Sequence, residues 1–376
     1  MRNIPPAAAR LDEAGQHPIT LGSPDDLVAV VPYLVGFPPR ESLVMVGVEG
    51  VNVRVTARLD LLDCGDPELR HAISVVARSG ADAVLALAYC DHVPALRSGA
   101  GEPGAHMFDP VRRLCDEFRL TLGECLIVHD DRYWRFGHRS ASERVPRDSL
   151  LAAEATFAGM VLHRDRESLL SLLDRDEDIL DSALITRLAD RQAAFAASLH
   201  GNDGVRERRS VKRAIFAAAR HADTAVGPVR GDEGRLEQLC RFAVGLRDVE
   251  VRDAVWLAID ERRLVGRGLW QELLRRLPAP YDASPLFLFG WGCWRDGNGV
   301  LASEAAARAL ASDPDYTAAE LLRSAVDAGL DPRRTPRLRP GREHKNTGRP
   351  GRPRLRAAIP GTGPAAPRAP ERRRDP

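Results

Sequence analysis

Arg58, Asp60, Asp91, His92, His129 and Asp130 are the residues of this chain whose types and spacing could do chemistry. Each falls at or just beyond the end of a β-rich run: Val51 to Asp60, Ala83 to Tyr89, Cys125 to Val128. In an open α/β sheet ligands bind beyond the carboxyl ends of the strands. Carboxylates and imidazoles gathered there could hold a divalent cation or move protons. Along Val51 to Asp60 the alternation puts Val53, Val55, Ala57 and Leu59 on one side and Arg54, Thr56, Arg58 and Asp60 on the other. That polar row could cradle a small anionic ligand; a solvated sheet face, or a simple Arg58–Asp60 pair, accounts for it as well. Asp and His also favour turns, so ordinary turn chemistry is the alternative for the strand ends. The glycine-rich run from Val93 to Met107, which carries His106, has a length found in functional or disordered loops.

The elements that must position these residues are legible in outline. Ser23-Pro24-Asp25-Asp26 reads as an N-cap, a proline at the first helical position and two first-turn acids, followed by a helix that Pro32 should end. A proline-bounded loop, Tyr33 to Pro39, follows. Leu43 to Val48 and Val51 to Leu59 flank Glu49-Gly50, the length of a tight hairpin. Asp66-Pro67-Glu68 opens a helix to about Arg78, and Asp109-Pro110 opens another to about Thr121. Strand, helix, strand, helix, strand predicts parallel pairing. Tyr133 to Phe136 should fold back across Asp130-Asp131. The expected fold class is α/β: a mixed, mostly parallel sheet of about five strands flanked by helices.

After Pro146 helical periodicity takes over: Asp148 to Ala158, Arg166 to Leu173, Asp178 to Ala197, Val211 to Ala222, Glu233 to Gly245, Asp248 to Glu261, Leu269 to Leu277, then three more helices to Leu330. Trp256, Trp270, Trp291 and Trp294 cluster here, a pattern that suits a core. Leu286 to Leu322 has the layout of one tetratricopeptide-like hairpin, either a partner groove or a local packing unit. The chain therefore divides into a disordered N-terminus (1–18), an α/β domain (19–146), a helical domain (147–331) and a disordered Arg/Pro-rich tail (332–376).

Composition narrows the classes. The 376 residues are 44% hydrophobic and 28% charged, enough for an ordinary core. No apolar run reaches the ~18 residues a membrane span needs, and Met1 to Gln16 lacks the pattern of a secretory signal. Six scattered cysteines without a C-x-x-C pair argue against a disulfide framework and a zinc ribbon and fit the expectation of a cytoplasmic protein. There is no Walker loop, no G-x-G-x-x-G after the first strand, no G-x-S-x-G and no H-E-x-x-H, and no cofactor is named by the sequence. From Pro332 onward fourteen basic residues face three acidic ones, so the tail carries +11 and the body −10 of a net +1. Within the tail, Gly348 to Arg354 repeats Gly-Arg-Pro, and Arg349, Arg352 and Arg354 could enter a narrow minor groove or simply stay solvated.

Leu21-Gly22-Ser23-Pro24-Asp25-Asp26-Leu27, Val31 through Val44 with its Gly36-Phe37-Pro38-Pro39-Arg40-Glu41-Ser42 centre, and Val55-Thr56-Ala57-Arg58-Leu59-Asp60 resemble the bacterial family catalogued as domain of unknown function 4192. Arg132-Tyr133-Trp134, Ala152 to Gly159, Trp294-Arg295-Asp296-Gly297 and Arg308 to Pro314 are similar to the same family. The resemblance implies that one family fold covers about Ile19 to Pro332, and it implies no activity. The functional expectation is a small-ligand-binding α/β half, with a protein-interaction module in the helical half and nucleic-acid contact through the tail as alternatives.

Overall fold

The computed structural model describes residues 21–61, 65–91, 105–136, 142–146, 149–176, 182–199, 201–222 and 233–339. Helix α1 (Pro24–Val35) starts as its cap predicts, with the Ser23 hydroxyl accepting from the Asp26 amide at 3.2 Å. It does not stop at Pro32. Three further residues are helical, and Gly36, at φ 94°, closes the helix by donating its N–H to the Pro32 carbonyl at 2.8 Å. An interior proline costs about 3 kcal/mol, but Leu27, Val28, Val30, Val31 and Val35 are all buried here. Each such side chain is worth roughly 1.5–3 kcal/mol, so burial wins.

Strands β1 (Ser42–Glu49) and β2 (Asn52–Asp60) form the expected hairpin, turning at Gly50 with φ 62°. Helix α2 (Asp66–Arg78), β3 (Ala83–Tyr89), α3 (Ala105–Glu117), β4 (Thr121–His129), β5 (Arg132–Arg135) and β6 (Glu143–Arg144) complete the sheet, in the order β2-β1-β3-β4-β5-β6. The expectation of a mostly parallel sheet of about five strands is corrected: among the described residues the sheet has six strands, and only β3 and β4 pair in parallel. The chain order does run β2, α2, β3, but β1 inserts between those two strands and pairs antiparallel with both.

Both crossovers step across the sheet in the same direction, and right-handed connections then put both helices on one face. There Ile73 and Val76 of α2 and Phe108 and Val111 of α3 pack on Met45, Val84, Ala86 and Ile127. The other face presents Val44, Val46, Leu87, Leu126 and Val128 to α1, and the same apolar cluster runs on into the helical half.

That half comprises α4 (Leu150–Phe157), α5 (Arg166–Leu170) with a 3-10 turn to Leu173, α6 (Ser182–Ser198), α7 (Gly201–Ala222), α8 (Glu233–Gly245), α9 (Val249–Asp260), α10 (Arg267–Arg276), α11 (Ala283–Arg295), α12 (Gly299–Ser312) and α13 (Thr317–Asp327). Helix α7 begins ten residues before the apolar periodicity, in a charged stretch held by Glu207–Arg241 at 2.9 Å and Arg208–Asp248 at 2.9 Å. Trp256, Phe287 and Trp291 meet edge to face at 4.8–4.9 Å from Trp256 and are buried. Helices α11 and α12 approach so closely at Gly290 that a Cβ there would lie 2.8 Å from that of Ala305.

Composition assigns residues 332–339 to the tail, but the structure packs them on the helical half. Asp260 and Arg295, both buried, pair at 2.5 Å. Arg295 donates onward to the carbonyls of Pro332 (2.7 Å), Thr335 (3.0 Å) and Pro336 (3.2 Å), while Asp260 accepts from the Leu338 amide (2.6 Å) and the Trp291 indole (2.9 Å). The segment is a strap over α9 and α11, and Leu338 is buried beneath it. Residues 1–20 and 340–376 lie outside the described residues, Arg349, Arg352 and Arg354 among them. Asp260→Ala, which strands a buried guanidinium, is expected to lower the unfolding free energy by about 3–5 kcal/mol in urea titrations. Replacing Asp260 and Arg295 together by Leu and Met removes both buried charges but orphans the Trp291 indole, the Leu338 amide and the strap carbonyls, so the same titration should still show a loss of stability.

Candidate functional site

Strands β2, β3 and β4 end at one edge of the sheet, so the chain does bring the predicted polar residues to a common border. Ser42, at the head of β1, lies between Asp60 and Tyr89 in register. Glu41 precedes it with φ 38°, a left-handed conformation, and stitches the border: its carbonyl accepts from Leu61 N–H at 2.8 Å and its carboxylate from Asp91 N–H. His129 faces the Cys90 carbonyl through Nδ1 at 2.9 Å, so Nδ1 carries a proton and Nε2 points to Asp130 at 3.5 Å. Arg58 pairs with Asp60 at 2.5 Å and lies over the Phe37 ring, 5.6 Å from its centroid.

These groups are each engaged locally, and they do not meet. Asp60 and His129 are three strands apart, about 14 Å at the usual spacing, beyond the span of one small ion. Among the described residues no three His, Cys, Asp or Glu side chains are grouped to hold a metal. His92 lies outside the described residues, and His106 sits in the first turn of α3. Because α2 and α3 share a face, the sheet also lacks the point where successive crossovers diverge and open a crevice.

Two tyrosines that the sequence did not single out lie in the same layer. Tyr133, fully buried, places its hydroxyl between the carboxylates of Asp25 (2.7 Å) and Glu143 (2.8 Å), tying the first turn of α1 to β5 and β6. Burial, then those two acids, raises its pKa above the phenol value. Tyr89 is buried, its hydroxyl has no partner among the described residues, and burial raises its pKa too. Their signal was only the alternation of β3 and β5, which marks a buried face without naming its contacts.

At the opposite end of β4 the surface is concave. A hollow of about 540 Å³ lies between α3 and the first half of β4, lined by Arg112, Asp116, Thr121, Glu124, Cys125 and Phe136. It exists because β5 first pairs with β4 at Leu126, leaving Thr121 to Glu124 unpaired on their outer side among the described residues. The Phe136 ring is steadied by Phe108, 5.2 Å between centroids, and lies under the Arg112 guanidinium at 5.7 Å. Asp116 and Glu124 supply negative charge beside Arg112, so both signs share one hollow. A second cavity, beside Trp270 and Cys293, has about 40 Å³, room for little more than water.

A model of the family described as domain of unknown function, DUF4192, matches residues 24–333. The chain belongs to that family. No curated protein matches it, and no solved structure does. The span of the DUF4192 match takes in every helix and strand from α1 to α13 and stops inside the strap. Two stretches that carry the DUF4192 resemblance have visible structural work: Glu41-Ser42 stitch the strand-end border, and Arg295 holds the strap.

All five described cysteines of this DUF4192 chain are free and buried. Burial pushes the thiols of Cys90 and Cys115 up to about 11 and those of Cys125 and Cys293 up to about 12. A raised pKa keeps the thiol protonated below that range, so alkylation at pH near 8 should leave these four unmodified in the folded protein and modify them in denaturant. Peptide mass mapping checks this.

Proposed function

We propose that this protein binds a small zwitterionic molecule, of amino-acid-like charge, in the hollow between α3 and β4. The observation that carries the reading is the hollow itself, whose size falls in the range of small-molecule sites and whose wall sets Arg112 against Asp116 and Glu124. A carboxylate would sit against Arg112, an ammonium against the two acids, and an apolar part against Phe136. The edge of β4 from Thr121 to Glu124, unpaired among the described residues, adds backbone donors and acceptors. Since exposed ion pairs are worth only about 0–1 kcal/mol each, the expected affinity is weak, a Kd of about 0.1–1 mM.

An anionic ligand at Arg58 is not adopted, because Asp60 holds that guanidinium closely, at 2.5 Å, whereas Asp109 approaches Arg112 only to 3.7 Å and leaves it open to a ligand carboxylate. Helices α11 and α12 are read as a tetratricopeptide-like unit used for internal packing, since Phe287, Trp291 and Trp294 are turned into the core. Among the described residues no helix is long and apolar enough to cross a membrane. The unbonded buried thiols suit a reducing compartment, and we read the protein as cytoplasmic. Minor-groove contact by Arg349, Arg352 and Arg354 rests on sequence alone.

The test is a panel of zwitterionic metabolites followed by thermal shift. A ligand at 100 times its Kd stabilises by about 2.7 kcal/mol. The shift should disappear in Arg112→Ala and in Thr121→Trp, which fills the hollow, with both variants melting near the parent. No shift across the panel, or a shift that survives both substitutions, sinks the reading.

A further inference from the structure

The wall of the α3–β4 hollow is shaped for a second backbone. Val84 of β3 pairs with Leu122 of β4, but Ala86 pairs with Cys125, so β4 spends three residues where β3 spends two. The strand bulges at Gly123-Glu124, which interrupts the ladder and bends the chain. Position 123 has no room for a side chain, since a Cβ there would lie 2.8 Å from the Leu85 side chain. Gly123 is exposed on its other side, and a bare glycine in a strand lets another backbone come close. With the outer side of Thr121 to Glu124 unpaired among the described residues, this edge can take one more strand segment.

The charges along the edge are ordered. Helix α3 connects the parallel strands β3 and β4 and so runs opposite to both. Arg112 stands over the Phe136 ring, and the Phe136 N–H donates to the Cys125 carbonyl at 2.8 Å, so the positive end of the hollow lies at Cys125. Asp116 is one turn further along α3, about 6 Å toward Thr121, and marks a negative end. Neither its carboxylate nor that of Glu124 has an ion pair or hydrogen bond among the described residues, and Arg112 meets only Asp109, at 3.7 Å. A free α-amino acid carries its ammonium and carboxylate on one carbon. It cannot reach both ends, and it leaves most of the hollow's volume of about 540 Å³ to solvent.

Resting on the reading of this hollow as a zwitterion site, we infer that its ligand is a short peptide laid along β4 as an added parallel strand, its N-terminus toward Asp116 and its C-terminus toward Arg112. At about 3.3 Å per residue, roughly two or three residues span the separation of the charges. Main-chain hydrogen bonds to the β4 edge supply affinity, as in other strand additions. Two acids against one arginine disfavour a doubly charged anion such as a phosphate, while a peptide with free ends matches both signs.

The experiment is isothermal titration calorimetry of the full chain with L-alanine, with tri-L-alanine, and with tri-L-alanine methylated on both peptide nitrogens. Methylation keeps the end charges and removes the donors that strand pairing needs. Tri-alanine should bind at least about tenfold more tightly than alanine, and methylation should remove at least that factor, the effect of losing one or two backbone hydrogen bonds. Amidating the peptide's C-terminus should weaken binding to the wild type and make no difference to Arg112→Ala, and acetylating its N-terminus should do the same with Asp116→Asn as the indifferent variant. Both side chains are exposed, so these variants should keep the wild-type circular dichroism and melting temperature. A tripeptide that binds no better than alanine, or a methylated one that binds as well as its parent, overturns the inference and leaves the zwitterion reading standing. Peptide binding that survives Arg112→Ala unchanged also overturns it, because the peptide then sits elsewhere. Silence from alanine, the peptides and the wider metabolite panel removes both readings together.

Discussion

The buried Asp260–Arg295 pair is the constraint around which the helical half is organised. Taking both charges out of water is expensive, and the attraction between them alone does not repay it. What makes the pair tolerable is that nearly every remaining lone pair and N–H is used. The carboxylate also takes the Trp291 indole and the Leu338 amide, and the guanidinium takes three strap carbonyls. Trp291 and Trp294 add their ring faces, 5.5 and 4.8 Å from the guanidinium carbon. Burial pulls the Arg295 pKa below the ordinary value while Asp260 pulls it back. The strap held in this way reaches the other half: Arg334 donates to the Ser79 carbonyl at 3.3 Å, and Arg78 to the Ala328 carbonyl at 3.1 Å. Gly329 lies so close to Val75 that a side chain there would collide with it. The ion pair thus ties α9 to α11 and to the strap, and Arg334 of the strap reaches the end of α2.

A second constraint acts in the sheet. With β1 inserted between β2 and β3, the three strands that end at the common border are spread across it, and their terminal acids and imidazole each find a partner nearby. That border is built from local pairs, Arg58 with Asp60 and His129 with the Cys90 carbonyl. The opposite end is the reverse case. There a four-residue β5 leaves the longer β4 partly uncovered, and a hollow follows from the mismatch in strand length rather than from any conspicuous residue.

Local chemistry was legible in the sequence wherever a feature is decided within a few residues. The Ser23 cap, the Glu49-Gly50 turn, the bounds of α8 and the Asp248 cap of α9 all appear where the side chains predict them. The tryptophan cluster was readable as core because large rings are costly to leave in water. What failed was non-local. Pro32 is a stop signal locally, yet the apolar face of α1 overrides it. Strand order cannot be read from chain order when a hairpin strand intercalates. Arg334 and Arg337 look like tail composition because their partners, Ser79 and Asp260, are far away in sequence. For the same reason Asp260 carried no signal: an acid in the last turn of a helix is ordinary until an arginine arrives from another helix.

The contrast between interior and surface bears on function. A chain that satisfies a buried carboxylate so completely does not retain an exposed phenylalanine and leucine on a two-turn helix for packing reasons, since α4 already anchors itself through Leu151 and Ala155. Among the described residues those side chains stay largely exposed, and in water such exposure carries an aggregation risk. An energetic reason to keep them exists only if something covers them.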